Sequence, residues 1–266
     1  MATLKQYKPT SNGQRNMTVV KYKELLTTGT PHKALTGGKK NTSGRNNDGR
    51  LTSRFRGGGN KKNYRQVDFK FDKKEIPGKV ETVEYDPYRS AFISLVCYKD
   101  GERRYIVSPR KIKVDDEVMT GEHAPITPGN RLPLRNIPVG TFVYCVESNP
   151  EGGAKFARSA GNYIELVAID GDEAQLRMPS TEIRRVSANC WASIGESSNE
   201  HHKLVNIGKA GRARQMGRRP RVRGAAMNPV DHPHGGGEGR AGRGHRRQRT
   251  FAGRPAGKGQ ERKSVG

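Results

Sequence analysis

The chain has 266 residues, 50 of them Lys or Arg against 26 Asp or Glu, a net charge of +24, with 33 Gly and only 32% apolar residues. That balance argues against one large buried core. The longest apolar run, residues 91–98, falls far short of the ~20 residues a membrane span needs, and residues 1–8 lack the apolar stretch of a secretory signal. The charge points to a polyanionic partner, with nucleic acid the first candidate.

In chain order the charge is uneven. Residues 1–66 hold 15 Lys/Arg and 2 acids, a surplus of +13. This flank is poor in apolar residues and rich in Gly, Asn and Ser, so it should gain order on a partner that neutralises it. Basic tails kept for solubility need only ~2–8 net charges in a small domain. Within the flank, Arg54-Phe55-Arg56-Gly57-Gly58-Gly59-Asn60-Lys61-Lys62-Asn63-Tyr64-Arg65 interleaves cations, aromatics and a glycine triplet. Glycine lets the backbone approach phosphates, Arg and Lys neutralise them, and Phe55 and Tyr64 could stack on bases. A flexible linker would not need that density of cations.

Residues 67–197 hold 18 Lys/Arg and 20 acids, a near-neutral globular composition. Strands are predicted at Val80–Tyr85, Ala91–Tyr98 and Arg104–Val107. They are separated by the turn Asp86-Pro87-Tyr88-Arg89 and by Asp100-Gly101, a hairpin signal. The breaker cluster 126–130 follows. A second set is predicted at Thr141–Glu147, Tyr163–Ile169, Glu173–Met178, Glu182–Val186 and Ala192–Ile194, with Glu151-Gly152-Gly153 and Asp170-Gly171-Asp172 as turns. Short strands at this spacing favour two small β-barrels, with one larger sandwich as the alternative. The odd, widely spaced Cys97, Cys145 and Cys190 form no C-x-x-C pair; buried free thiols are expected.

Residues 198–266 carry 17 Lys/Arg and 4 acids, again +13. Their singular feature is Met227-Asn228-Pro229-Val230-Asp231-His232-Pro233-His234-Gly235-Gly236-Gly237-Glu238-Gly239-Arg240. Asp231 beside His232 could be half of a catalytic dyad, and His232-Pro233-His234 could hold a metal. Against these, a dyad needs a third positioned group and a scaffold that excludes water. Two His one residue apart, without further ligands, make a poor zinc signature. An acid in such a tail can orient a neighbouring His or Arg, or meet a hydrated Mg²⁺ held on RNA. No cofactor of the chain's own is expected.

The segment from Asn228 to Gly239 resembles the signature of the universal large-subunit ribosomal protein two family, in its bacterial or organellar form. Arg45-Asn46-Asn47-Asp48-Gly49-Arg50 and the glycine triplet resemble that family's N-terminal arm. Residues 84–91 and 100–106 look like its first barrel; residues 153–161 and 178–180 look like its second. The resemblance implies an all-β fold: a basic arm over 1–66, an OB-fold-like barrel over 67–127, an SH3-like barrel over 128–197 and a basic extension over 198–266. It implies a non-enzymatic constituent of the large ribosomal subunit that binds large-subunit rRNA near the peptidyl transferase region. It further implies contact with small-subunit rRNA at an intersubunit bridge and with other ribosomal proteins, but not with a membrane or small-molecule substrate. The cytoplasm is the expected location, or an organelle matrix or stroma if the gene is organellar.

Family roles in rRNA binding map onto Arg89 and Arg158, and the tip maps onto Asp231, His232 and His234. A part for His232 in peptide-bond formation is a disputed family proposal; no catalytic or metal residue is expected. With the charged flanks, the expected rRNA-contacting set is Arg54, Arg56, Gly57, Gly58, Gly59, Lys61, Lys62, Arg65, Arg89, Lys155, Arg158, His201, His202, Lys203, Lys209, Arg212, Arg218, Arg219, Arg223, Asn228, Asp231, His232, His234, Gly235, Gly236, Gly237 and Arg240. Two features depart from the family: Tyr88 stands where Asn is usual, and the sequence diverges after Arg240. An RNA-acting enzyme would need a pocket within a folded domain. A general nucleic-acid compactor would not need two barrels and a His-Pro-His tip.

Overall fold

A computed structural model describes residues 4–239 and 242–256. Among these, regular structure is β apart from single turns of 3-10 helix and one short helix, α1 (Ala210–Gln215). Described residues of 1–41 and 60–213 make one compact unit, and those of 42–59 and 214–266 a second.

In the first unit, β1 (Leu4–Gln6) pairs with β2 (Thr18–Val20) and β3 (Thr36–Gly37) pairs with β4 (Tyr64–Arg65). Next come β5 (Gly78–Glu84), β6 (Ile93–Tyr98), β7 (Arg103–Val107) and β8 (Glu117–Val118), an antiparallel sheet in the order β7-β6-β5-β8. A bulge between Val80 and Thr82 shifts the register of β5 against β6, so Val80 and Val83, three apart, both reach the core. The expected strands here match within two residues. The Asp100-Gly101 hairpin is a four-residue loop, closed by Tyr98 N–H donating to Glu102 O (3.0 Å), with Gly101 at φ +83°.

The second set is β9 (Arg131–Pro133), β10 (Phe142–Tyr144), β11 (Val146–Glu147), β12 (Ala154–Phe156), β13 (Ile164–Asp170), β14 (Glu173–Arg177), β15 (Ile183–Ser187) and β16 (Trp191–Ile194). Six form a sheet ordered β15-β14-β13-β10-β16-β9, while β11 pairs with β12. The single strand predicted over Thr141–Glu147 is broken at Cys145, which adopts φ +50°. The cause is a division of labour between cores. Val143 and Val146 pack in the second core with Leu134, Ile164 and Leu176. Tyr144 and Cys145 pack in the first, with Val80, Ile93 and Tyr105. Strict alternation would send Tyr144 and Cys145 to opposite faces; one left-handed residue places both in the first core. Burial raises the Cys145 thiol to about 12 and Cys190 to about 11, so both stay protonated. Cys97 is only half-buried, unlike the expectation for all three.

Two segments that read as arm or linker are tied down. Tyr22, Leu25, Leu26 and Leu35 pack against the first core. Thr27 N–H donates to Val83 O (3.0 Å), and its Oγ accepts from Val83 N–H (2.8 Å). Tyr105 Oη donates to buried Glu84 (2.8 Å) while accepting His32 N–H (2.8 Å). A handful of apolar side chains therefore anchors part of a flank whose charge had suggested an arm throughout. In the breaker cluster, Asn130 accepts Met119 N–H (2.9 Å) and donates to Pro125 O (2.8 Å) and Thr127 Oγ1 (2.9 Å), so the connection is a bonded loop.

Arg131 joins the two sets. It is 1% exposed, its guanidinium lies over the Phe71 ring (4.3 Å), and it donates to Cys145 O (2.8 Å) and Glu147 Oε1 (2.9 Å). The other Glu147 oxygen accepts backbone N–H groups from Glu151 (3.1 Å) and Trp191 (3.3 Å). Burial pulls the Arg131 pKa down and Glu147 opposes it. Breaking such a buried pair costs about 3–5 kcal/mol, because one charge is left unpaired. Glu147→Ala should lower unfolding stability by about that amount, whereas Arg131→Met with Glu147→Leu should cost less than either single change. Denaturant titration of the full chain checks both.

Candidate nucleic-acid interface

In the first unit the fold brings two sequence-predicted residues to one ring. Arg89 lies in the β5–β6 turn and Arg158 just beyond β12, yet their guanidiniums lie 5.4 Å and 4.8 Å from the centroid of Phe69. The turn is closed by fully buried Asp86, whose Oδ1 accepts Tyr88 N–H (2.8 Å) and whose Oδ2 pairs with Arg89 Nε (2.6 Å). Phe69 is fixed in turn, because its carbonyl accepts Ala154 N–H (2.7 Å). Gly153, at φ +72°, makes that approach: a Cβ there would lie 2.8 Å from Phe69 O. Arg158 and Lys155 are exposed, and Arg89 is half-buried.

Beside this pair, the Tyr64 and Tyr88 rings meet edge to face at 5.5 Å. Lys39 Nζ is 4.9 Å from the Tyr64 ring and Lys62 Nζ 5.8 Å from the Tyr88 ring. Neither Phe69 nor Lys39 was singled out from sequence. Lys39 follows a Gly-Gly pair in a basic run, a signal of the kind that marked residues 54–65; Phe69 lies in a near-neutral stretch and only tertiary structure marks it.

Not every predicted contact is free. Arg65 is buried and donates to Asn63 O (2.8 Å). His201, His202 and Lys203 occupy a 3-10 turn, Glu200–Leu204, where His201 lies 3.4 Å from the Glu200 carboxylate. Lys209 packs its stem near Gly13, Arg212 is half-exposed on α1, and Lys61 is exposed.

In the second unit the glycine triplet serves the chain's own backbone. Gly57 N–H donates to Gly217 O (3.0 Å) and Arg219 N–H to Phe55 O (3.0 Å). A Cβ on Gly59 would lie 2.8 Å from Gln215 O, so only glycine allows that approach. Gly58, at φ +63°, has open space where a side chain would be. Phe55 is flanked by Arg54 (5.0 Å) and Arg221 (5.4 Å), and Arg54 also covers Phe251 (3.9 Å). Arg56, Arg218, Arg219 and Arg223 are exposed.

The tip is a tight loop built on its histidines. His232 is 8% exposed, and its Nδ1 accepts His234 N–H (3.0 Å). His234 Nε2 accepts Arg249 N–H (2.9 Å), and His245 Nε2 lies 3.2 Å from Pro233 O. Gly235 and Gly236 close the turn: a Cβ on Gly235 would lie 2.3 Å from Asn228 O, and Gly236 has φ +85°. Asn228, Val230, Asp231 and Gly237 remain exposed, Val230 at 91%. Arg240 lies outside the described residues. Among the described residues no cluster of three or more His, Cys, Asp or Glu could hold a metal. No helix there is long and apolar enough to cross a membrane.

Comparison with known proteins places these features in a family. Residues 32–120 match the family model described as Ribosomal Proteins L2, RNA binding N-terminal domain, and residues 127–253 match Ribosomal Proteins L2, C-terminal domain. The chain is 58% identical over 240 residues to the large ribosomal subunit protein uL2 of Methylococcus capsulatus, covering 90% of this chain and 86% of that protein.

Two tests address the tip. Desolvation first, then the neighbouring His232, Arg243, His245 and Arg249, hold the His234 pKa below its usual value. A histidine with a lowered folded pKa adds stability that is fully present above the unfolded pKa of ~6.5 and is lost as pH falls from there through the lower folded pKa. Hydrogen-exchange protection of the Arg249 amide should therefore hold above about pH 6.5 and decline as pH falls below it, after correction for intrinsic rates. Gly224→Ala should displace His232, whose ring lies 2.5 Å from the added Cβ; a shifted His232 imidazole resonance in NMR would show it.

Proposed function

The chain belongs to the ribosomal protein L2 family, and from that premise we propose that it is a structural rRNA-binding constituent of the large ribosomal subunit in the cytoplasm. It is not an enzyme. Its position is near the peptidyl transferase region, where it supports subunit association, tRNA binding and peptide-bond formation, and contacts small-subunit rRNA at a bridge. Other ribosomal proteins are its neighbours. The carrying observation is the convergence of Arg89 and Arg158, 69 residues apart, on the one ring of Phe69. Two planar cations held in register suit adjacent phosphates of a folded RNA better than a diffuse basic surface does.

The flanks supply the second component. Phosphate neutralisation by many cations gives affinity, and the folded β body gives register. The tip reads as a shaped contact. His232 is enclosed and its Nδ1 is already accepting a backbone N–H, so it is poorly placed to take a proton from a substrate. Exposed Asp231 and Glu238 can meet hydrated Mg²⁺ carried by the RNA.

Arg158→Ala should weaken binding to large-subunit rRNA and reduce the steepness of its salt dependence by about one charge, with circular dichroism unchanged. Salt-independent affinity would overturn the RNA reading. For His232→Ala, altered assembly or subunit joining is expected. Ribosomes that assemble normally but are slow only in the chemical step would refute a structural role for the tip.

A further inference from the structure

Tyr88 has no evident structural duty. Its backbone N–H closes the Asp86 turn, which any residue but proline could do. The residue is 40% exposed, and its ring meets the edge of Tyr64 and the Lys62 ammonium. An exposed tyrosine in a turn usually needs no account, but this one has unusual neighbours. It adjoins Arg89 in sequence, and Arg89 shares Phe69 with Arg158. Lys62 and Lys39 lie over the two tyrosine rings. The only carboxylate the turn contributes, Asp86, is fully buried and faces Arg89. Aromatic faces interleaved with cations, without an exposed competing acid in the turn, suit a flexible single strand. Its bases can unstack onto rings while its phosphates meet the cations. Duplex RNA keeps its bases stacked inside and would use only the cations.

We propose that Tyr88 is a stacking platform for one unpaired base of the RNA, with Lys62, Arg89 and Arg158 on the flanking phosphates. This rests on the RNA-binding role proposed above and specifies it: the RNA segment at this face carries a looped or bulged nucleotide. The unpaired base lies against the phenol ring, and the cations fix the strand on either side. Specificity at this face is then for strandedness, which phosphate contacts alone do not supply.

The test uses the full chain with two probes, a short oligoadenylate carrying one 2-aminopurine and an RNA duplex of equal length. Tyr88→Ala should lower affinity for the single strand by about 5-fold or more, the lower end of what one stacked base contributes. It should also abolish the quenching of 2-aminopurine fluorescence that the unmodified chain produces. Tyr88→Phe should retain both, and duplex affinity should change in neither variant. Arg158→Ala serves as the control, weakening both probes. Equal loss on both probes in Tyr88→Ala, or no loss on either, overturns the stacking role. If Arg158→Ala is also silent on both, the RNA-binding reading of this face falls with it. Circular dichroism of each variant confirms that the fold is retained.

Discussion

A charge buried where two cores meet organises the first unit. The Arg131 guanidinium meets the Phe71 ring of the first core and, from the second β set, the Cys145 carbonyl and the Glu147 carboxylate. Glu147 in turn holds N–H groups of the 147–151 turn and of β16. Neither charge can be left alone in that setting, so the segments that satisfy them must all be in place at once. The pair is therefore better understood as a registration device than as a source of net stability. The bonded loop at 119–131 and the broken strand at Cys145 both bring groups of this junction within reach.

Outside that junction, the organisation follows a different logic. The second unit has little apolar material and builds shape from backbone hydrogen bonds, glycines that permit close approach, and rings covered by guanidiniums. Phe55 between Arg54 and Arg221, and the His232–His234 loop, show how a strongly cationic segment forms local structure. The cations that cover rings still present donors outward, so the same side chains can serve the loop and an RNA partner.

Local signals carried most of the β body. Proline and glycine punctuation, with β-branched runs between, marked β5–β7, β10, β11 and β13–β16, because those preferences act over a few residues; β8, β9 and β12, of two or three residues each, were too short to stand out. What they missed were tertiary effects. The break at Cys145 answers to two cores competing for consecutive side chains. The anchoring of residues 18–36 depends on four apolar side chains in a segment read by its charge. Phe69 acquires meaning only when two distant arginines arrive on it. For the candidate site, the cationic residues and the tip were legible as composition and motif. Which cations are free was not: Arg65 is consumed internally, and Gly57 and Gly59 serve the chain's own backbone rather than lying open to phosphates.

The pinning of Phe69 makes one ring depend on the whole β body. Its carbonyl is held by β12, one of its two guanidiniums comes from the β5–β6 turn, and the other comes from beyond β12. A chain in which only one β set has formed presents half of this platform. Both guanidiniums reach the ring only when the two β sets have closed, so the platform reports on the whole body at a single side chain.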